Sequence, residues 1–218
     1  MNKKFLFYSG FFLLLMGGFY FALTRLIPGF GQVKLPVLAT VQPFRVINQH
    51  GEVVTDQDLS GRVYVVEYFF TTCPNICPMM NQNMKQVYDR FQLDDRVRIL
   101  SFTCNPKTDS VPVLKRFADS LAVDTRHWYF LTGSKDSLYQ LARNSFLIDD
   151  PKNNVLPIDE QFMHTQFFAL VDRSGRVRKI YDGLKQKEID DLIRDIPQLL
   201  QETVTDKRFS TNLFRGGN

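Results

Sequence analysis

The strongest constraint on this chain is the stretch in which a strand-like apolar run leads into Cys73 and Cys77. Residues 63–70 are rich in β-branched and aromatic side chains, which is typical of a buried strand. After the cysteines, apolar residues recur at spacings of three and four, as on the inner face of a helix: Met80, Met84, Val87, Tyr88 and Phe91. The cysteines therefore lie between a strand and a helix, where open α/β sheets usually build their sites.

The four-residue spacing of Cys73 and Cys77 lets the two thiols act together. In a helical or turn-like segment their Cα atoms lie roughly 6 Å apart, which suits a disulfide and also lets two thiolates converge on one metal ion. Free amides at a helix start lower thiol pKa values and so favour the thiolate. The alternative is a static disulfide. A disulfide that closes so short a loop stabilises the fold only a little, because it removes little entropy from the unfolded chain.

The remaining patterns predict an α/β domain in which a βαβ unit precedes a ββα unit. Predicted strands cover residues 44–47, 52–55, 63–70, 97–104, 128–131, 166–171 and 177–181. Predicted helices cover residues 79–91, 111–121, about 132–146 and 185–200. Ser110 is the predicted N-cap of the helix at 111–121. The inward face of the last helix is predicted to contain Ile189, Leu192, Ile193 and Ile196. This order is typical of a thioredoxin-like fold with an N-terminal β-hairpin.

Residues 1–27 predict an N-terminal membrane anchor. Residues 5–23 carry no charge, and their length is close to the roughly 20 residues that cross a bilayer. Lys3 and Lys4 before this run place the N-terminus in the cytoplasm and the domain on the outer side. A cleaved signal peptide is the alternative, although the apolar run is long for one and no clear small-x-small site precedes Arg25.

The rest of the chain divides into a linker, one domain and a tail. Residues 28–40 contain Pro and Gly and predict a linker, residues 41–202 suffice for one domain with a proper core, and residues 203–218 form a polar tail. The net charge of +4 is mild, and no Lys/Arg cluster is interleaved with aromatic residues. Nucleic acid is therefore not an expected partner.

The stretch at residues 70–78, FTTCPNICP, resembles the CPxxCP signature of the Sco/SenC family. That family comprises membrane-anchored, thioredoxin-like copper proteins linked to the assembly of cytochrome c oxidase. The opening of the domain, with Asn48-Gln49 and the Asp58–Gly61 turn, is similar to that of Sco and peroxiredoxin-like proteins. The resemblance implies copper, as Cu(I) or Cu(II), bound by the two cysteines.

His164 precedes the predicted strand at 166–171 and resembles the Sco histidine that serves as the third copper ligand. Two thiolates and one imidazole form a soft, low-coordinate set that suits Cu(I) and holds Cu(II) with an added ligand. Thioredoxins carry a cis-proline in the equivalent loop, and its absence at residues 163–165 disfavours a generic dithiol oxidoreductase. A strand-edge histidine without a special role is the alternative. His50 and His127 are expected to be surface or structural residues.

The chain departs from the family pattern at two positions, where Asn75 and Asn105 stand in place of the usual aspartates. Loss of two carboxylates favours the lower charge state, so we expect weaker Cu(II) retention, which Asn75→Asp/Asn105→Asp would test by Cu(II) and Cu(I) titration. Cys104 ends a neighbouring strand and is either an auxiliary ligand or resolving thiol, or a buried inert cysteine. Met163 is a further auxiliary candidate, with core packing as the alternative.

Two functions follow most directly from these residues, and a redox-sensing module that signals to another protein is a third alternative. The first is a membrane-anchored copper chaperone that delivers copper to the CuA site of cytochrome c oxidase subunit II from the periplasmic face of a bacterial inner membrane. The second is a tethered thiol-disulfide oxidoreductase in which Cys73 attacks and Cys77 resolves. Whether the chain is an enzyme is left open, with a metallochaperone favoured. Other copper chaperones or thiol reductants are expected as further partners.

Overall fold

The computed structural model describes residues 3–26, 34–150, 152, 156–163 and 165–202, and the chain divides into two compact units after Leu35. The first unit contains one helix, α1 (Lys3–Leu26). Its segment Lys4–Leu23 is long and apolar enough to cross a membrane, and the large apolar side chains along it are exposed. By length and composition, both a membrane anchor and a signal sequence fit this helix.

The second unit contains one mixed sheet with helices packed against it. Its strands are β1 (Ala39–Thr40), β2 (Arg45–Asn48), β3 (Val53–Thr55), β4 (Val63–Phe69), β5 (Val97–Thr103), β6 (Trp128–Thr132), β7 (Phe167–Val171) and β8 (Arg176–Asp182). Its helices are α2 (Cys77–Phe91), α3 (Val111–Leu121), α4 (Lys135–Gln140) and α5 (Gln186–Gln201), with a 3-10 turn at Gln57–Leu59. The strand order is β1-β8-β7-β4-β5-β6-β2-β3.

The centre of the sheet positions the cysteine stretch. β4 and β5 are buried along all seven residues of each strand, as their near-continuous apolar sequences predict. They pair in parallel from Val63 opposite Val97 to Phe69 opposite Thr103, so their carboxyl ends meet at one edge. The segments that follow these two strands, which carry Cys73 and Cys104, therefore leave the sheet side by side.

The α/β, thioredoxin-like fold class is confirmed, with differences at the ends of elements. The helix predicted from residue 79 begins at Cys77, because Pro78 is accommodated in its first turn. Ser110 occupies the N-cap of α3, but its side chain makes no capping hydrogen bond. Ser134 does cap α4, since its hydroxyl accepts the Ser137 N–H. The helix predicted at about 132–146 is α4 followed by a π-helical segment, Leu141–Ser145.

Two further differences concern the ends of the domain. Ala39–Thr40, placed in the linker by the sequence, forms an edge strand against Val177 and Arg176 of β8. In α5, Ile193 is only half-buried and Leu199 is fully buried, so the apolar face extends one turn further toward the carboxyl end than predicted. The predicted tail at 203–218 lies outside the described residues.

Candidate metal centre

The cysteine stretch occupies the loop between β4 and α2. Cys73 lies in the loop and is partly exposed, whereas Cys77 is the first residue of α2 and its exposed fraction is 5%. The Cys73 N–H donates to the Phe70 carbonyl at 3.2 Å, which folds the loop back on the end of the strand. All three cysteines are free thiols, so the structure contains no static disulfide at these positions.

The Cys73 sulfur lies in an environment that favours the thiolate. Partial burial alone would raise the pKa of Cys73, but hydrogen bonds from the Cys77 thiol and from the amides of Cys77, Asn75 and Ile76 together lower it. Amide hydrogens at a helix start stabilise a negative sulfur because they are oriented, partly positive dipoles. The sequence-based expectation of a lowered pKa at this pair thus holds for Cys73.

The Cys77 sulfur differs from its neighbour. Burial raises the pKa of Cys77 to about 12, and the hydrogen bond to Cys73 and the nearby charge of Glu67 act in the same direction. One donor opposes this rise, the Phe70 N–H, which bonds the Cys77 sulfur. The pair therefore presents one partly exposed thiol with a lowered pKa beside one buried thiol with a raised pKa.

A cavity of about 450 Å³ lies beside both cysteines. Phe70, Phe117 and Leu121 contribute apolar wall, and Asn81 lies one helical turn beyond Cys77 on the same side. Both thiols are therefore reachable from one side of the domain.

Asp109 fixes the cysteine loop, and the sequence analysis did not single it out. Its carboxylate is fully buried and accepts three hydrogen bonds: from the Thr71 hydroxyl at 2.6 Å, from the Thr71 N–H at 3.2 Å and from the Thr103 hydroxyl at 2.5 Å. Thr71 begins the cysteine loop and Thr103 ends β5, so one carboxylate joins the two. The signal in the sequence was an aspartate in the short loop between β5 and α3, which is weak evidence by itself.

Cys104 is buried next to the end of β4. Its N–H donates to the Phe69 carbonyl at 2.7 Å, while the N–H of the same peptide unit, that of Phe70, bonds the Cys77 sulfur. The Cys104 side chain is 3% exposed and belongs to the apolar core cluster that also contains Met163. Burial raises the pKa of Cys104 well above the usual range of a thiol. These surroundings match the inert core cysteine more closely than the auxiliary ligand.

His164 lies outside the described residues, so the structure does not place the predicted third ligand. Its neighbours Met163 and Thr165 are both described and both buried. Within the described ranges, no three His, Cys, Asp or Glu side chains form a metal-binding cluster. The two candidate thiols therefore lie together, and a ligand role for them and for His164 is addressed below as a proposal.

The other two histidines make contacts away from the cysteine loop. His50 is exposed in the turn between β2 and β3, and its Nε2 lies 2.9 Å from the Thr125 hydroxyl. His127 precedes β6 and its Nδ1 lies 3.4 Å from Arg98 Nη1. Both contacts agree with the surface or structural roles expected from the sequence.

A buried carboxyl group, Glu67, lies in the middle of β4. Its Oε1 accepts the Ser101 hydroxyl at 2.5 Å, and that hydroxyl in turn accepts the Trp128 indole N–H at 2.7 Å. Its Oε2 has no hydrogen-bond partner among the described residues. Burial raises the pKa of Glu67 to about 7, only partly offset by the Ser101 hydrogen bond.

Glu67 should make the stability of the domain depend on pH. Because its folded-state pKa of about 7 exceeds the ordinary 4.5, the stability that it contributes is full below pH 4.5 and is lost as the pH rises through about 7. Between low pH and a pH above 7, this effect should lower the free energy of unfolding by about 3 kcal/mol. We expect Glu67→Gln, which mimics the protonated form, to remove this decrease. Denaturant unfolding of both proteins from pH 4.5 to about 8 measures it, and parallel pH profiles would contradict the assignment.

Comparisons with known proteins agree with this geometry. A family model described as SCO1/SenC matches residues 34–201. The SCO1 protein homolog of Bacillus subtilis is 33% identical over 169 residues, covering 76% of this chain and 85% of that protein. The structure of BsSco, described as a member of the Sco family of cytochrome c oxidase assembly proteins, superposes with a TM-score of 0.66 at 32% identity. The match covers 79% of this chain and 99% of the BsSco chain.

A copper-bound structure shares the fold at lower identity. Bradyrhizobium japonicum ScoI with copper bound superposes with a TM-score of 0.59 at 24% identity, covering 74% of this chain and 100% of that one. The family match extends over most of the chain and includes the cysteine stretch, the loop after β5 and the strand that follows residue 164. This chain therefore belongs to the SCO1/SenC family.

Proposed function

We propose that this protein is a membrane-anchored copper chaperone that binds one copper ion through Cys73, Cys77 and His164. The observation that carries the proposal is the pair of free thiols beyond the carboxyl end of β4, of which Cys73 is partly exposed with a lowered pKa and Cys77 is buried. Family membership, and a relative of the same fold with copper bound, support copper as the cargo.

The donor set fits a copper ion that must later be released. Two thiolates bind Cu(I) strongly because both partners are soft, and an imidazole supports Cu(II) as well. Cys73 is readily ionised, whereas Cys77 must lose its proton to the incoming metal. Copper affinity therefore falls in acid, since protons compete for the same sulfur and imidazole atoms.

The acceptor we propose is the CuA site of cytochrome c oxidase subunit II. The description of BsSco as a member of a family of cytochrome c oxidase assembly proteins supports this choice. Ligand exchange requires that the acceptor approach the bound copper, and the partly exposed Cys73 provides the point of entry. With α1 as an uncleaved anchor and Lys3 and Lys4 in the cytoplasm, the domain faces the periplasm.

A second function is favoured by the unequal thiols. A thiol-disulfide oxidoreductase needs an accessible cysteine of lowered pKa to attack and a second cysteine to resolve the mixed disulfide, and the partly exposed Cys73 and its buried neighbour Cys77 fit these roles. The thiols of Cys73 and Cys77 become a disulfide when two electrons and two protons pass to a partner disulfide, which becomes a dithiol. The two functions are compatible, because acceptor cysteines must be reduced before they take copper.

Copper stoichiometry and transfer test the proposal. The reduced full chain in detergent micelles should retain about one copper ion against a competing chelator, and Cys77→Ala should retain almost none. Mixing at least two equivalents of the loaded protein with the apo soluble domain of a subunit II, followed by oxidation in air, should produce the CuA absorption spectrum. No retained copper, together with a readily reversible Cys73–Cys77 disulfide, would contradict the chaperone and support the oxidoreductase.

A further inference from the structure

The cavity of about 450 Å³ beside Cys73 contains a polar group that the proposed chemistry does not use. Asn81 forms part of the cavity wall and is 8% exposed, and its Oδ1 has no hydrogen-bond partner among the described residues. A buried acceptor without a donor lowers stability, so such a group calls for an explanation, and a ligand that donates a hydrogen bond provides one. The terminal torsion of an asparagine is broad, which lets this oxygen turn toward a donor that enters the cavity.

Aromatic and aliphatic side chains form another part of the cavity wall. The Phe117 ring stacks on Phe69 at a centroid distance of 5.1 Å and meets Phe130 edge to face at 5.7 Å. Phe70 and Leu121, which are both half-buried, continue this apolar surface. Because two fully buried aromatic rings hold the Phe117 ring from behind, an apolar side chain that enters the cavity meets a preformed surface.

The charge at this wall is already balanced. Lys85 is the one charged residue among the described residues that line the cavity. Its ammonium group forms an ion pair with Asp89 and lies 5.0 Å from the ring centroid of Tyr88. An acidic side chain in the cavity would compete with Asp89 for this cation and would also face the Cys73 thiolate. The cavity therefore favours a neutral, apolar occupant that brings a hydrogen-bond donor.

We propose that this cavity recognises the partner in thiol-disulfide exchange, an extended polypeptide segment with an apolar side chain next to its reactive cysteine. The apolar side chain packs on Phe70, Phe117 and Leu121, and a peptide N–H of the same segment donates to Asn81 Oδ1. A peptide segment supplies both groups at once, because each of its residues other than proline carries an N–H beside its side chain. This inference rests on the exchange function proposed above and names the substrate class of that function.

The exchange itself proceeds in two balanced steps. The Cys73 thiolate attacks one sulfur of the partner disulfide and forms a mixed disulfide, and the other partner sulfur leaves as a thiolate that takes a proton from the solvent. The Cys77 thiol then gives up its proton to the solvent and attacks Cys73 Sγ, which forms the Cys73–Cys77 disulfide and releases the second partner sulfur as a thiolate. The partner disulfide is the oxidant and gains two electrons.

Two matched peptide disulfides test this recognition. The probes are the homodisulfides of acetyl-Leu-Cys-Leu-amide and acetyl-Gly-Cys-Gly-amide, which differ only in the side chains that flank the cysteine. The reduced full chain in detergent micelles reduces each probe in a single turnover, as wild type, Asn81→Ala, Leu121→Ala and Gln86→Ala. Gln86 is the control, because it lies on the same helix as Asn81 but its amide bonds side chains outside the cavity. Each rate is divided by that of methyl methanethiosulfonate, which lacks an N–H and a large side chain and so reports the reactivity of Cys73 alone.

We expect the wild type to reduce the leucine peptide about tenfold faster than the glycine peptide. Leu121→Ala should lower this preference about threefold, because part of the apolar wall is lost. Asn81→Ala should slow both peptides about fivefold, since each supplies a peptide N–H, and should keep at least the wild-type thermal stability, since it removes an acceptor that has no donor. Gln86→Ala should match the wild type. Micelles concentrate the apolar peptide equally for every variant, so partition does not produce these differences.

The same preference in Leu121→Ala as in the wild type would overturn the inference, as would wild-type peptide rates in Asn81→Ala. The wild type separates the two possible failures. If it reduces neither peptide disulfide, the exchange function is wrong and the inference falls with it. If it reduces both peptides at equal normalised rates, the exchange function stands and only the recognition by the cavity is wrong.

Discussion

His164→Ala should lower copper affinity by about 100-fold, equivalent to about 2.8 kcal/mol, while dithiol exchange at Cys73 stays within about twofold of the wild-type rate. In the proposed ligand set, loss of His164 would leave two thiolates as the protein ligands, and such a site binds Cu(II) in particular more weakly. Exchange depends instead on the ionised Cys73 thiol, which is stabilised by the Cys77 thiol and by amides of the α2 start.

Chelator competition measures the affinity, and reduction of a model disulfide measures the exchange rate. His50→Ala is the matched control, because His50 is exposed and contacts Thr125 in another part of the domain. Loss of exchange with copper affinity retained would reverse the ranking of the two functions. Equal effects in both histidine variants would show that position 164 has no special role.

Asp109→Ala should lower the free energy of unfolding by about 3 kcal/mol and weaken copper binding as well. The substitution leaves three donors from Thr71 and Thr103 without their carboxylate, and the Thr103 hydroxyl is fully buried. Leaving buried donors unsatisfied lowers the free energy of unfolding by more than a typical hydrogen bond contributes, because these donors have lost water and gained no new acceptor. The loop that carries Cys73 then loses its attachment to β5, so the thiol pair is held less rigidly.

Urea unfolding of the apo protein and copper competition on the same samples separate the two effects. Asp119→Ala is the control, since Asp119 forms an exposed ion pair with Lys115 and its loss should cost about 0.5 kcal/mol or less. If Asp109→Ala unfolds like the wild type, the carboxylate does not fix the loop. If it is destabilised but binds copper normally, the loop is preorganised by other contacts.

The sequence was most informative where one local pattern decides the structure. The apolar runs of β4 and β5, the 3.6-residue periodicity of α2 and the turn at residues 172–175 each depend on near neighbours, and each element appears within about two residues of its predicted position. The cysteine pair at the strand-to-helix junction was found for the same reason. The raised pKa of Cys77 was not predicted, because it depends on how deeply the folded domain buries that sulfur.

The residues that the sequence analysis missed act over long separations. Asp109 bonds Thr71 across 38 positions, and Tyr139 bonds Cys104 across 35. No periodicity marks such a contact, since it arises only after the sheet brings the segments together. The π-helical segment and the short β1 strand likewise could not be predicted from the sequence, because each depends on packing against other segments rather than on its own composition.

The peptide unit between Phe69 and Phe70 has a consequence for mutational tolerance. Its carbonyl accepts from the Cys104 N–H, and its N–H donates to the Cys77 sulfur. Of the four atoms that form these two hydrogen bonds, only the sulfur belongs to a side chain. Any L-residue other than proline can supply those atoms. Positions 70 and 104 are therefore free to diversify within the limits of packing, except to proline. A proline at 70 removes the N–H that bonds the Cys77 sulfur, and a proline at 104 removes the N–H that bonds the Phe69 carbonyl.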